Sequence, residues 1–222
     1  MPDHATRVIA IRHGETAWNA DKRLQGQTDI ELNDTGQRQA LRLAGALADA
    51  GITSLYASDL RRAMQTAQPI AARCGVALGT DAGLRERNFG IFEGQRWVDL
   101  ERRWPEQARR WRERNGDFAP DGGETLAGFY ARCVDSATRL AVRHPGETIA
   151  FVAHGGVLDC LYRAAARIPL EAPRTWQLGN ASINRLLFNG ESFTLVGWND
   201  SRHLDAGLDD NDEATAAAER AT

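Results

Sequence analysis

Two segments of this chain end an apolar run on a histidine followed by glycine. Val8-Ile9-Ala10-Ile11 leads into Arg12-His13-Gly14-Glu15-Thr16, and Thr148 to Ala153 leads into His154-Gly155-Gly156. A neutral ring nitrogen of histidine can attack phosphorus, and the planar fork of arginine matches phosphate oxygens. Glycine lets the backbone come close to a ligand. These residue types point to phosphoryl transfer through a phosphohistidine. One histidine at a strand end is usually an ordinary core residue. Two, at the ends of two apolar runs and with an arginine alongside, describe a site.

Arg62 adds to this pattern. It falls in the first turn of an expected helix, where backbone N–H groups and the helix dipole already favour an anion. Arg61, one residue earlier, is expected to face elsewhere. The reaction also needs a proton for the departing alkoxide and then a base for the incoming water. Glu86 is the natural candidate, and Glu15, Glu93 and Glu124 compete with it on sequence alone.

The elements that must position these residues can be read from hydrophobic period. A strand is expected at about Arg7 to Arg12, then a polar loop from Glu15 to Asn33. Ala40, Leu43, Ala44, Leu47 and Ala48 recur at helical spacing, with Gly51 as the stop. Ile52 to Ala57 reads as a second strand, and Ser58 or Asp59 as the cap of a helix ending near Cys74-Gly75. Residues 76 to 94 look like strand and loop. Trp97, Trp104 and Trp111 recur every seven residues in an arginine-rich helical segment broken at Pro105. The stripe Leu126, Phe129, Cys133, Ala137, Leu140 predicts a long helix from Thr125. A further helix is expected from about Val157 to Ala166, and short strands over 175 to 199. Alternating strands and helices predict an α/β fold, a three-layer α/β/α sandwich with a mainly parallel central sheet. Ligands in such sheets bind at the carboxyl ends of strands, where both histidines fall.

Composition narrows the function classes. The chain has 222 residues, 42% hydrophobic and 26% charged, with formal net charge −3. That is ordinary globular composition, without the basic field of a nucleic-acid binder. Cys74, Cys133 and Cys160 are scattered, with no Cys-x-x-Cys pair, which predicts a reducing, cytoplasmic compartment and no zinc ribbon. The first residues lack the apolar core of a signal peptide, and no run is long enough to span a membrane. Residues 1–204 read as one domain with a lid at about 95–120. Residues 205–222 read as an acidic, flexible tail.

The motifs together resemble the histidine phosphatase superfamily, also called phosphoglycerate mutase-like, from about Arg7 to Leu204. The resemblance rests on Arg12-His13-Gly14-Glu15-Thr16 with Asn19, on Leu24-Gln25-Gly26, and on Ser58 to Ala67. It also rests on Leu84-Arg85-Glu86-Arg87-Asn88-Phe89-Gly90 and on Ala153-His154-Gly155-Gly156. It implies His13 as nucleophile, with Arg12, Arg62 and His154 binding the phosphoryl group and Glu86 as acid and then base. Asn19, Gln25, Gly26 and Gly155 would line the phosphate pocket. No metal is implied.

The superfamily divides into phosphatases and cofactor-dependent mutases. The short segment between Glu86 and His154, the turn Pro120 to Thr125, and Asn199 to Leu204 resemble the phosphatase branch. The acid motif is close to the mutase form, and Arg109-Arg110 could mimic the arginine pair of a mutase lid. The expected function is therefore a phosphomonoesterase acting on small phosphorylated metabolites. The alternative is a mutase, which alone would need 2,3-bisphosphoglycerate as cofactor. A non-catalytic phospho-ligand binder and a metal hydrolase built on His13, His154 and Glu86 are the readings from other classes. The expected partner is a small phosphorylated metabolite, with neither nucleic acid nor membrane, and exposed strand edges leave room for a homodimer.

Overall fold

The computed structural model describes residues 4–205. A six-stranded sheet runs through their centre in the order β3-β2-β4-β1-β5-β6. The strands are β1 (Thr6–Arg12), β2 (Ser54–Ala57), β3 (Leu78–Thr80), β4 (Thr148–Ala153), β5 (Ile183–Phe188) and β6 (Phe193–Asp200). The pairs β1·β4, β4·β2 and β2·β3 are parallel, and β5 pairs antiparallel with β1 and β6. Every residue of β4 is buried, as expected for a central strand covered on both faces.

Alternation along β1 and β4 sorts side chains into two cores. Val8, Ala10, Ile149, Phe151 and Ala153 meet α6 (Leu126–Val142) and α7 (Gly155–Ala166). Ile9, Ile11, Ala150 and Val152 meet α2 (Asp34–Ala46) and α3 (Arg61–Cys74). The result is the expected three-layer α/β/α sandwich. A smaller third core sits apart from the sheet. Phe92, Leu100, Ala108 and Phe118 form its centre, under α4 (Trp97–Arg103) and α5 (Pro105–Arg112). Trp104 and Trp111 pack on Phe92 there, and Pro105 occupies the first turn of α5, where its missing N–H is harmless.

Local departures from expectation have identifiable causes. The polar stretch after β1 contains a one-turn helix, α1 (Ala17–Ala20), closed by a reciprocal capping box between Thr16 and Asn19. Neither Ser58 nor Asp59 caps α3. Its N-cap is Leu60, because Arg85 takes both oxygens of Asp59 at 2.6 and 2.5 Å, and Asp29 accepts the Arg61 N–H from a distant loop at 2.8 Å. Helix α7 begins two residues earlier than its apolar pattern, directly after His154. Helix α8 (Arg202–Asp205) closes the described chain and takes in Asp205, the first residue of the tail expected at 205–222, whose remainder lies outside the described residues. No helix among the described residues is long and apolar enough to cross a membrane.

Candidate active site

Strands β1 and β4 are adjacent and in step, with Arg12 opposite Ala153. The ladder continues one residue further, His13 N–H donating to the Ala153 carbonyl at 3.0 Å. His13 and His154 therefore leave the sheet side by side, ring centroids 5.2 Å apart. His13 Nδ1 lies 2.7 Å from the Gly14 carbonyl, which can only accept. Nδ1 thus carries the proton, and Nε2 presents its lone pair. Burial, then Arg62 and Arg12, hold the His13 pKa well below the usual histidine value. His154 is lowered in the same way, by burial first and then Arg62. Both rings are neutral at pH 7, as a nitrogen nucleophile must be.

The cations around His13 are aimed by backbone carbonyls. Arg62 donates to the Gly26 carbonyl at 2.7 Å and the Thr28 carbonyl at 3.0 Å, and Arg12 donates to the Leu178 carbonyl. Burial lowers the Arg62 pKa to about 10, which leaves it charged. Arg12 Nε, Arg62 Nε and both His154 nitrogens are buried without a partner among the described residues. An unpaired buried donor costs about 1–3 kcal/mol, so these groups are poised to gain from an anion. Arg12 and Arg62 converge with His13, Asn19, Gln25, Gly26 and Gly155 on a pocket of about 210 Å³, with His154 against the His13 ring. Gly155 is the first residue of α7, which brings a helix N-terminus to the pocket wall. The sequence argument placed that role on α3, whose leading N–H is already taken by Asp29.

Of the four glutamates that compete as proton donor, Glu86 alone lines this pocket. Its carboxyl is held by the Gly156 N–H at 3.0 Å and the Arg87 N–H at 2.9 Å. A Cβ on Gly156 would come 2.1 Å from Glu86 Oε1, so glycine here makes room for the carboxyl in this position. Glu93 instead clasps a loop, accepting from the N–H groups of Gln27, Thr28 and Phe89 at 2.9 to 3.0 Å. That clasp shapes the turn at Gly26, φ +56°, whose carbonyl aims Arg62. Glu124 pairs with Arg132, and Glu15 accepts from Asn33.

The pocket opens into an outer chamber of about 460 Å³, and the two share Leu24, Glu86, Phe89, Gly156 and Arg174. Trp111 of α5 lines the chamber, with the Arg87 guanidinium 4.5 Å from its ring centroid. Arg114 adopts φ +52°, a left-handed conformation costing about 1–3 kcal/mol for a non-glycine residue. Its side chain reaches the Leu170 carbonyl at 2.6 Å and Asp159 Oδ2 at 3.0 Å, joining the segment after α5 to α7. Arg109 pairs with Glu106 and Glu113 on an exposed face, and Arg110 lies over Phe118. Neither lines the pocket or the chamber.

All nine residues singled out from the sequence collect here, eight on the pocket wall and His154 against the His13 ring. Gly156, Glu93, Asn180 and Arg174 complete the site and were not among them. Asn180 reaches the carbonyls of His13 and Gly14 and Asn19 Oδ1 at 3.1 to 3.3 Å. Gly156 stood inside a quoted motif. Arg174 lies outside every motif, and Asn180 falls where a strand is expected but β5 begins only at Ile183, so nothing in the sequence marks either residue for the site.

The family model of the histidine phosphatase superfamily (branch 1) matches residues 8–201. Phosphoglycerate mutase-like protein 4 of Arabidopsis thaliana is 40% identical over 202 residues, covering 89% of this chain and 86% of that protein. A metal-independent phosphoserine phosphatase of the same plant is 34% identical over 207 residues, covering 92% and 85%. Among solved structures, a mycobacterial glucosyl-3-phosphoglycerate phosphatase aligns with TM-score 0.78 at 32% identity, covering 88% of this chain and 99% of that one.

Proposed function

The chain belongs to the histidine phosphatase superfamily, and from that premise we propose that this phosphomonoesterase hydrolyses small phosphorylated metabolites through a phosphohistidine on His13. The observation that carries the reading is the fixed tautomer of His13 beside unpaired donors of Arg12, Arg62 and His154. Nε2 attacks phosphorus in line with the ester oxygen. The P–O bond breaks as the P–N bond forms, and Glu86 gives its proton to the leaving oxygen. Arg12, Arg62 and the N–H of His154 stabilise the charge on the equatorial oxygens. Water then attacks phosphorus, Glu86 recovers a proton from it, and the P–N bond breaks to release phosphate. The Nδ1 proton stays on the ring throughout, donated to the Gly14 carbonyl.

Two guanidinium groups already supply the positive charge that a metal would bring, and they would repel one, so the reaction runs without a metal cofactor. Water is the acceptor in place of a second phosphoglycerate, because Arg109 and Arg110 are engaged away from the site and so hold no bisphosphorylated intermediate there. Residues 95–120 act as the lid over the chamber. The three cysteines are free, which suits a cytoplasmic location.

The test follows p-nitrophenyl phosphate and 3-phosphoglycerate by phosphorus NMR, with a chelator and a trace of 2,3-bisphosphoglycerate. A turnover mixture is also quenched in alkaline denaturant for peptide mass spectrometry. Inorganic phosphate should grow, and the His13 peptide should carry phosphate. Growth of 2-phosphoglycerate without free phosphate makes the protein a mutase. Turnover with no phosphopeptide, or loss of turnover with the chelator, overturns the mechanism.

A further inference from the structure

Asp159 is a buried carboxylate on the wall of the outer chamber, and only one of its oxygens is used. Oδ2 accepts from Arg163 Nε at 2.9 Å and from Arg114 Nη2 at 3.0 Å. Oδ1 is buried and has no partner among the described residues. A buried carboxylate oxygen left unpaired is costly, and because Asp159 stands in the wall of a chamber that adjoins the phosphate pocket, a ligand there can supply the missing donor after a small turn of the side chain. The chamber shares Glu86 with the phosphate pocket, so the group that departs from phosphorus lies in it.

The surroundings decide what kind of donor fits. The charge of Asp159 is already matched by two guanidinium groups, Arg114 and Arg163. Arg174 and Arg87 line the same chamber. An ammonium group brought to Oδ1 would meet these four cations. A neutral hydroxyl meets no such repulsion and can donate its proton to Oδ1. We propose that Asp159 is a specificity-determining residue that accepts a hydrogen bond from a hydroxyl of the leaving group, so that the preferred substrates are phosphate esters of polyhydroxy alcohols and amino alcohols are disfavoured. This rests on the phosphomonoesterase reading of the adjoining pocket.

The test uses phosphate monoesters of linear alcohols in a series of lengths, each ending in methyl, hydroxyl or ammonium, with p-nitrophenyl phosphate as the common reference. In the wild type, kcat/KM should favour hydroxyl over methyl by about tenfold or more at the length that reaches Asp159, with ammonium lowest. Asp159→Leu, of nearly the same size, removes the acceptor and puts no donor in its place. It should bring the hydroxyl-to-methyl ratio to within about threefold. Arg174→Gln should raise the ammonium esters relative to methyl. If Asp159→Leu fails to fold, the wild-type order decides alone. A flat wild-type order at every length, or a ratio unmoved by Asp159→Leu, overturns the proposal. No turnover of p-nitrophenyl phosphate by the wild type would instead bring down the phosphatase reading beneath it.

Discussion

The phosphate pocket and the outer chamber share a wall at Glu86, Phe89 and Gly156, yet they are built in different ways. The pocket is set by the ends of two neighbouring strands, locked in register and buried in the middle of the sheet. Its donors are fixed by backbone carbonyls, which cannot swing away. The chamber is assembled from segments far apart in sequence: the turn after Glu86, the end of α5, α7 and the loop at Arg174. It is held by side-chain bridges such as Arg114 to Asp159. On the proposed reading, chemistry sits where main-chain contacts fix the donors, and selection of the leaving group where side-chain contacts are easiest to change.

If that contrast holds, changes in the pocket reduce turnover of every substrate, and changes in the chamber re-rank substrates. The largest effect is expected for His13→Ala. Turnover of all phosphate esters should fall by about 10⁴-fold or more with the thermal transition preserved. Retained turnover of any ester would break the covalent mechanism. Glu86→Gln should come next, and it tests the shared wall. Esters of poor leaving groups should slow by about 10²-fold, and p-nitrophenyl phosphate much less, because only the former need the proton. Equal losses would remove the acid role from Glu86.

A third expectation concerns protons bound on unfolding. His13 and His154 have folded pKa values well below normal, whereas in the unfolded chain they titrate near their ordinary value. Below about pH 6.5 the unfolded state therefore binds more protons, and stability is lost as pH falls through that range, by up to about 1.4 kcal/mol per pH unit for each histidine. Urea melts from about pH 7.5 down to about pH 5.5 read this slope, and His154→Gln should flatten it. Stability that holds level or rises as the pH drops would contradict the neutral, buried pair. The smallest effect is expected for Arg114→Ala. It should raise KM for bulky esters severalfold and leave kcat for p-nitrophenyl phosphate nearly unchanged, since the bridge touches the chamber alone. A loss of kcat across all esters would erase the distinction between the two regions.

The same contrast explains what could be read from the sequence. His13, His154 and the α/β order are legible because each follows from a few contiguous residues: an apolar strand, then histidine and glycine. Arg62 is legible through its helix, although the first N–H of that helix is taken by Asp29 from another loop and not by a neighbouring side chain. The clasp of Glu93 on residues 27 and 28 is a long-range contact, and the acid at that position looks like any solvated glutamate. Arg174 and the spare oxygen of Asp159 acquire meaning only after α7 and the distant loop have packed. The one-turn α1 hides in a polar stretch because its box closes with asparagine in place of the usual glutamate or glutamine.

The hydrogen bond from His13 Nδ1 to the carbonyl of its own neighbour, Gly14, has a consequence for descent and design. The tautomer of His13, the proposed nucleophile, does not depend on a distant acidic partner that a drifting loop could misplace. It is inherited with the dipeptide. A lineage can replace the whole chamber, and an engineer can graft a new one, without having to rediscover which nitrogen attacks.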